Sequence, residues 1–174
     1  MIRPASGRPR VLDFFTQTPL ERNPEAIRYP LEADFGSTRQ VFHLGAGTVA
    51  TPGCIAGLLK MQEEHGVLPL AECAAPAMDL CRNGLKISAH AAKLLEVVAA
   101  LYTATPEARL LFASRDEPGG CLREGDRFHN PAFAEFLGML IKEGARWFYE
   151  GDIGRLVDDH CRANGGHLSR ADFT

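Results

Sequence analysis

The sequence predicts an α+β fold that is mostly helical, with short strands near the N-terminus. From Thr51 onward, apolar residues recur at three- and four-residue steps between helix caps and glycine stops, as in amphipathic helices. Residues 10–15 and 36–44 have the alternation and composition of strands, with a proline-containing loop between them. The 174 residues, 45% of them hydrophobic, fit one globular domain over residues 1–174.

Capping residues, prolines and glycines predict the bounds of the first two helices. Thr51 is a good N-cap and Pro52 suits the first helical position, so we expect the first helix to begin there. Gly66 stands where a left-handed residue is favoured and should end that helix. The second helix is expected to begin at Leu68-Pro69-Leu70 and to end at Gly84.

Caps and apolar periodicity also predict the later helices. Ser88 should cap a helix whose apolar face continues to Tyr102, and Pro106 should begin a shorter one. Asn130-Pro131 should begin a helix that faces the core. Residues 169–172 have the spacing of a capping-box variant.

The last helix contains a histidine and a cysteine side by side. Asp152 places a negative charge in its first turn, and the helical period puts His160 and Cys161 on its apolar stripe. We therefore interpret this pair as buried packing residues, not as a catalytic or metal-binding pair. Asp158 and Asp159 are expected to be solvated charges on the opposite side.

Charge and hydropathy argue against two classes of partner. Lysine and arginine total 19 against 22 acidic residues, a net charge of −3, so nothing favours nucleic acid. No apolar run approaches membrane-spanning length, so no membrane partner is expected. The N-terminal residues lack the hydrophobic centre of a secretory signal, and the sequence leaves the compartment open.

The sequence calls for no metal and no cofactor. Its 5 cysteines contain no Cys-x-x-Cys pair, and its histidines form no His-Glu-x-x-His arrangement. Gly45, Gly47 and Gly53 precede a helix, but the dinucleotide fingerprint and the Walker ending are both missing. We therefore expect reduced, buried cysteines and glycines that serve turns.

Two ordered sets of short motifs carry a family resemblance. The first set contains Ala50-Thr51-Pro52-Gly53, Gly57-Leu58, Gly66-Val67-Leu68-Pro69 and Ala75-Pro76-Ala77. The second contains Glu143-Gly144-Ala145, Phe148-Tyr149-Glu150-Gly151, Gly165-Gly166-His167-Leu168-Ser169 and Asp172. The series resembles the large-subunit region of the gamma-glutamyltransferase (gamma-glutamyltranspeptidase) family of N-terminal-nucleophile hydrolases, over nearly the whole chain from Leu12.

The resemblance implies a fold and a reaction. The fold would be the mostly helical portion of an αββα sandwich. Family members are made as a precursor that cleaves itself before a threonine, whose new α-amine then serves as the base when the threonine attacks an amide carbonyl. No threonine of this chain stands in the family's threonine-threonine-histidine setting, so no catalytic residue is expected in it.

The resemblance also implies partners. The expected partner is the remainder of the same precursor, including the small catalytic subunit, and the expected substrate is a small-molecule or peptide γ-glutamyl compound such as glutathione. Met1 is interpreted as an internal start and Thr174 as a cut end. Such a piece is expected to self-associate through exposed sheet edges and apolar patches.

One departure from the family concerns substrate binding. Family members have an Asp-aromatic-Arg-Glu segment whose arginine grips the α-carboxylate of the glutamyl group. The matching segment here runs from Asp13 to Pro19, with Phe15 in the place of that arginine and Thr16 and Gln17 beside it. A phenyl ring cannot form a bidentate charge-assisted pair. Either the enzyme accepts another acyl donor, as an acylase of the same superfamily would, or Phe15 is packing in a diverged subfamily. A non-catalytic scaffold is the third interpretation.

Overall fold

The computed structural model describes residues 1–114 and 116–174. The secondary structure consists of β1 (Tyr29–Asp34), β2 (Arg39–Leu44), α1 (Cys54–His65), α2 (Leu70–Asn83), β3 (Leu85–Lys86), α3 (Ala89–Val97), α4 (Ala99–Tyr102), α5 (Pro106–Phe112), β4 (Arg127–Phe128), α6 (Pro131–Glu143), α7 (Ala145–Tyr149) and α8 (Asp152–Ala163). Two short 3-10 helices cover Ala46–Thr48 and Arg170–Phe173. The mostly helical α+β prediction is confirmed.

The chain forms two compact units. Unit 1 consists of residues 1–27, 45–73 and 139–174, and unit 2 consists of residues 28–44 and 74–138. The expectation of one domain over residues 1–174 stays a prediction.

Unit 1 is built around the end of the chain. Cys161 of α8 is 1% exposed and packs with Leu168 and Phe173 in its small core. Phe148 and Tyr149 of α7 lie against this cluster, with the ring centroids of Tyr149 and Phe173 6.2 Å apart. The C-terminal residues thus form part of the core of unit 1.

Unit 2 contains both sheets. The strands β1 and β2 pair antiparallel, from Tyr29 opposite Leu44 to Asp34 opposite Arg39. The short strands β3 and β4 form a second antiparallel pair. The ring of Phe112 packs edge-on against Tyr102, at 4.6 Å between centroids, and stacks on Phe128 at 5.3 Å.

Two strand predictions have different outcomes. The prediction over residues 36–44 is confirmed for its last six residues, which form β2. The prediction over residues 10–15 is wrong, because Arg10 makes only an isolated bridge with Ile2 and the following residues form no strand. The first strand is instead Tyr29–Asp34, which lies wholly in the region expected to be loop. Pro30 is tolerated because β1 has only one neighbouring strand.

Two predicted helix boundaries are wrong, and a third is confirmed with a different backbone conformation. Thr51 does not cap α1, which begins at Cys54 after Gly53. Gly66 ends α1 as expected but is not left-handed, since its φ is −68°. The helix expected to continue to Tyr102 is divided at Val98, whose φ of −106° and ψ of 17° separate α3 from α4.

Other boundaries are confirmed. Helix α2 ends at Asn83, and the following Gly84 has a φ of +86°. Ser88 caps α3 by accepting a hydrogen bond from the Ala91 N–H at 3.2 Å. Asn130 caps α6 in the same way, through the Phe133 N–H at 3.0 Å.

Candidate functional site

The substrate-binding residues expected from the sequence lie on one exposed segment of unit 1. Phe15, Thr16 and Gln17 are all exposed, and Phe15 has 77% of its surface in contact with solvent. The carboxylate of Asp13 accepts a hydrogen bond from the Phe15 N–H at 3.1 Å, which bends the chain locally. An aromatic side chain this exposed contributes little to the packing of the unit.

The neighbouring Phe14 fixes this segment against α1. Its ring lies so close to Gly57 that a Cβ atom there would overlap it. A Cβ atom on Gly53 would come within 2.8 Å of the Phe14 carbonyl oxygen. Two family-like glycines are therefore needed because the backbone of the segment approaches the start of α1 closely.

A short backbone pairing holds the other end of the segment. The Gln17 N–H donates to the Thr51 carbonyl at 3.1 Å, and the Thr51 N–H donates to the Gln17 carbonyl at 2.9 Å. This pairing explains why Thr51 does not cap α1, since its backbone is used by Gln17.

The carboxylate of Asp172 joins three parts of unit 1. One oxygen accepts from the Leu20 N–H at 2.6 Å and from the Thr51 hydroxyl at 3.5 Å. The other accepts from the N–H and the hydroxyl of Ser169 at 2.8 and 3.1 Å. Burial acts to raise the pKa of Asp172, but these hydrogen bonds outweigh it and hold the pKa below its ordinary value.

The Asp172 contact with Leu20 was missed from the sequence. The Ser169–Asp172 spacing predicts a capping box, and the box is present at the start of the last 3-10 helix. Nothing in a local spacing indicates that the second carboxylate oxygen bonds a residue 152 positions earlier.

The glycine-glycine segment before Ser169 holds the residues that follow Leu20. The Asn23 N–H donates to Nδ1 of His167 at 3.0 Å, and its side-chain amide donates to the Gly166 carbonyl at 3.1 Å. The Ile27 N–H donates to the Gly165 carbonyl at 2.8 Å. Residues 165–172 therefore hold residues 20–27 in place through hydrogen bonds.

The Phe-Tyr-x-Gly motif contacts the start of α1 in unit 1. The Tyr149 hydroxyl donates to the Pro52 carbonyl at 2.8 Å and accepts from the Ala56 N–H at 3.1 Å, at the start of α1. Burial raises the pKa of this phenol. It therefore stays protonated at neutral pH and continues to donate to Pro52.

Arg170 binds backbone carbonyls at the end of α7. Its guanidinium donates to the carbonyls of Tyr149 at 2.9 Å and Gly151 at 3.3 Å, and also to that of Glu150. The Tyr149 and Glu150 carbonyls lie at the C-terminal end of α7, where backbone acceptors have no partner within the helix. The Gly151 carbonyl also accepts from the Arg155 N–H of α8 at 3.3 Å.

The histidine and cysteine of α8 do not form a pair. The structure places Cys161 in the core, as expected, but His160 is exposed, so its predicted burial is wrong. The expectation for Asp158 is also wrong, because it is 8% exposed and accepts two hydrogen bonds from Arg162, at 2.9 and 2.8 Å. Burial raises the pKa of the Cys161 thiol, which favours its unreactive protonated form.

The other cysteines differ in their exposure. All five thiols are free, and Cys54 and Cys73 are exposed, contrary to the expectation of uniformly buried cysteines. Cys121 is buried, and burial raises the pKa of its thiol.

A cavity of about 630 Å³ lies in unit 2, beside Cys121. Four of its charged lining residues form two ion pairs, Lys93 with Glu96 at 3.0 Å and Arg123 with Glu117, and Glu124 also lines it.

Within residues 1–114 and 116–174, no group of three or more histidine, cysteine, aspartate or glutamate side chains is placed to hold a metal ion. In the same described residues, no helix has the length and apolarity needed to cross a bilayer.

A family model and curated relatives were compared with the chain, and they agree on one family. The family model described as gamma-glutamyltranspeptidase matches residues 1–174. The chain is 28% identical over 177 aligned residues to the acylase ACY 1 proenzyme of Pseudomonas sp. (strain V22), covering 99% of this chain and 31% of that protein. It is 32% identical over 123 residues to glutathione hydrolase 3 of Arabidopsis thaliana, covering 70% of this chain and 19% of that protein.

Solved structures show the same fold. The gamma-glutamyltranspeptidase of Helicobacter pylori matches with a TM-score of 0.72 at 24% identity, over 92% of this chain and 45% of that chain. The cephalosporin acylase of Bacillus halodurans matches with a TM-score of 0.63 at 17% identity, over 91% of this chain and 34% of that chain.

These likenesses confirm the predicted fold, the mostly helical portion of an N-terminal-nucleophile hydrolase. The chain spans about a third or less of the length of the two relatives named by sequence. Because the family model covers all 174 residues, the chain belongs to the gamma-glutamyltranspeptidase family.

Proposed function

We propose that this chain is part of the large-subunit region of an enzyme that cleaves γ-glutamyl amides, such as glutathione, and transfers the acyl group to water or to an amino acid. The observation that carries the proposal is the match of the gamma-glutamyltranspeptidase family model to residues 1–174. A relative named as a glutathione hydrolase, 32% identical over 70% of the chain, supports the same reaction class.

In this proposal the nucleophile is an N-terminal threonine outside these 174 residues. That threonine would attack the amide carbonyl with its own α-amine as base, forming an acyl-enzyme that water or an amine resolves. Backbone N–H donors would stabilise the oxyanion. The chain would act as a partial large-subunit domain that flanks the small catalytic subunit and shapes the substrate pocket, and would be inactive alone.

The residues of this chain proposed to face the substrate are Phe15, Thr16 and Gln17. Their exposure leaves them accessible, and the close packing of Phe14 on Gly57 fixes the backbone beside them. With Phe15 in the arginine's place, this segment offers an apolar surface and neutral hydrogen-bonding groups to the acyl donor.

A second candidate is an acylase of the same superfamily that acts on other amides, such as dicarboxylic acyl amides. Phe15 favours this candidate, because an acyl group without an α-amino-acid head needs no arginine for its α-carboxylate. The relative named as an acylase proenzyme covers 99% of the chain, which supports it further. A non-catalytic scaffold is the remaining alternative.

The test combines two substrates and one substitution. The purified chain is incubated with γ-glutamyl p-nitroanilide or glutaryl p-nitroanilide, alone and with the separately expressed small subunit of a family member. We expect no turnover by the chain alone and turnover on mixing. Preference for the γ-glutamyl substrate would support the first proposal, and preference for the glutaryl substrate the acylase.

The variant Phe15→Arg restores the family's cation. We expect it to shift selectivity toward the γ-glutamyl substrate by about tenfold, since a charge-assisted pair is gained. Val11→Arg adds the same charge at a position that is 73% exposed and two residues before the segment, and serves as the control. Turnover by the chain alone would contradict the proposal that the nucleophile lies outside these residues. Co-elution of the two subunits without turnover of either substrate would favour the non-catalytic scaffold.

A further inference from the structure

We propose that Asp172 is a positioning residue for the segment from Asp13 to Pro19. The inference rests on the proposed function in one respect, since it takes Phe15, Thr16 and Gln17 on that segment as substrate-facing. Asp172 does not itself face these side chains. It acts through the backbone of Leu20, which follows the segment directly, at 2.6 Å.

Two attachments hold the end of the segment; Asp172 forms one of them and contacts the Thr51 side chain of the other. The Gln17 backbone pairs with that of Thr51, and the Leu20 N–H donates to Asp172. Because the same Asp172 oxygen also accepts from the Thr51 hydroxyl at 3.5 Å, the two attachments meet at one carboxylate. Gln17 is therefore held through both its N–H and its carbonyl, and the backbone at Phe15 lies only two residues from this fixed point.

The chemistry of the site requires a carboxylate. One oxygen accepts from Leu20 and Thr51, and the other accepts from the N–H and the hydroxyl of Ser169. An asparagine has one acceptor oxygen and a donor amide in place of the other. In Asp172→Asn, the amide nitrogen would face hydrogen-bond donors on one of the two sides, so either Leu20 or Ser169 loses its acceptor.

Unit 1 provides a matched control. Asp158 is 8% exposed, close to the 9% of Asp172, and its carboxylate also accepts two short hydrogen bonds. Its donor is Arg162, one turn later on α8, so both hydrogen bonds lie within one helix. Asp158→Asn therefore removes a comparable carboxylate without touching the attachment of the segment.

The first measurement is hydrogen exchange on the full chain. In Asp172→Asn we expect peptides that cover residues 13–22 to exchange about tenfold faster, because the Leu20 N–H loses a charged acceptor. Asp158→Asn should leave these peptides unchanged. Unchanged exchange in residues 13–22 of a folded Asp172→Asn variant would overturn the proposal.

A second variant covers the case in which Asp172→Asn fails to fold. Leu20→Pro deletes the N–H donor itself and leaves the carboxylate with its Thr51 and Ser169 partners. The Leu20 side chain is 73% exposed, so its replacement leaves no cavity. We expect the same faster exchange in residues 13–19, and protection equal to that of the parent chain would overturn the proposal.

The functional readout separates positioning from general stability. In the mixture with the small subunit, Asp172→Asn is expected to raise KM about tenfold while kcat changes less than about twofold, because the segment binds the acyl donor without taking part in bond cleavage. An unchanged KM would overturn a positioning role. If the mixture with the parent chain shows no turnover, the proposed function fails, and hydrogen exchange alone decides whether Asp172 positions the segment.

Discussion

Gly57 shows how a single hydrogen atom in place of a side chain determines local packing. Its Cα faces the ring of Phe14, and a Cβ atom there would overlap ring atoms. Gly138, in contrast, is a helical glycine whose added Cβ atom would meet only the end of the Met78 side chain, at 3.6 Å. The two glycines allow the same substitution to be tested with opposite expected signs.

We predict that Gly57→Ala lowers the free energy of unfolding by about 1–3 kcal/mol, because the Phe14 ring must move. Gly138→Ala should raise it by up to about 1 kcal/mol, because alanine favours the helical conformation and the contact is ordinary. Urea unfolding measures both. Equal effects of the two substitutions would contradict the close approach of Phe14 to α1.

Asp172 also predicts a pH dependence. Burial acts to raise its pKa, and the hydrogen bonds from Leu20, Ser169 and Thr51 more than offset this, so the pKa is lower in the folded chain. A lowered carboxyl pKa stabilises the fold fully above the ordinary unfolded value of about 3.9, and this stabilisation is lost as the pH falls through the folded pKa.

We therefore expect the parent chain to lose more free energy of unfolding than Asp172→Asn between about pH 5 and about pH 2.5. Urea midpoints at the two pH values give the difference. The same acid sensitivity in both proteins would show that Asp172 does not carry this stabilisation.

Among the elements, α7 depends on a cap from a distant part of the chain. Arg170 donates to the carbonyl of Tyr149, the last residue of α7, and to those of Glu150 and Gly151, which follow it. We predict that Arg170→Ala costs about 1–3 kcal/mol of unfolding free energy, because half-buried carbonyls lose a charged donor. Thermal unfolding measures the loss.

Arg155 is the matched control for Arg170. It pairs with Asp152 and Asp159 on the surface of α8, and its side chain is 60% exposed. Replacement of an arginine in such surface pairs should leave the unfolding temperature nearly unchanged. If Arg170→Ala behaves like Arg155→Ala, the cap contributes nothing measurable to α7.

Helix α8 shows what periodicity predicts and where it fails. The sequence predicts its existence and its first turn at Asp152, because these follow from local pattern. The buried face is shifted, with Gly154, Asp158 and Cys161 inside and His160 and Leu156 outside. A buried carboxylate satisfied by a neighbouring arginine is invisible to a hydrophobic pattern, which counts every aspartate as polar.

The candidate site also has features that the sequence predicts and features that it does not. The sequence alone predicts that one segment carries Phe15, Thr16 and Gln17. It does not predict how this segment is held, because Thr51 has a good N-cap side chain and yet pairs through its backbone with Gln17. Long-range pairing overrides local capping preference here, and only the folded structure shows it.

At the scale of the whole molecule, the chain exposes more surface than its mass requires. The accessible surface is 12093 Å² for 19.0 kDa. A folded monomer of this mass exposes about 8,400 Å², and two separate globular domains of half the mass would together expose about 10,100 Å². The excess over either reference, about 2,000 Å² or more, is comparable to one side of a large permanent interface.

Several of the most exposed side chains are apolar. Val67 is 96% exposed and Leu110 is 88% exposed, in addition to Phe15 at 77%. Because exposed apolar surface favours association, we predict that the isolated chain self-associates, with a weight-average mass above 19.0 kDa that rises with concentration. Sedimentation velocity over a range of concentrations measures it.

A pair of double variants separates the loss of apolar surface from added charge. Val67→Glu with Leu110→Glu should shift the chain toward a monomer, because two exposed apolar side chains are removed and the net charge becomes more negative. Thr18→Glu with Ser37→Glu adds the same charge at exposed polar positions and should have the smaller effect. A parent chain that stays at 19.0 kDa at every concentration would show that its apolar surface does not suffice for self-association.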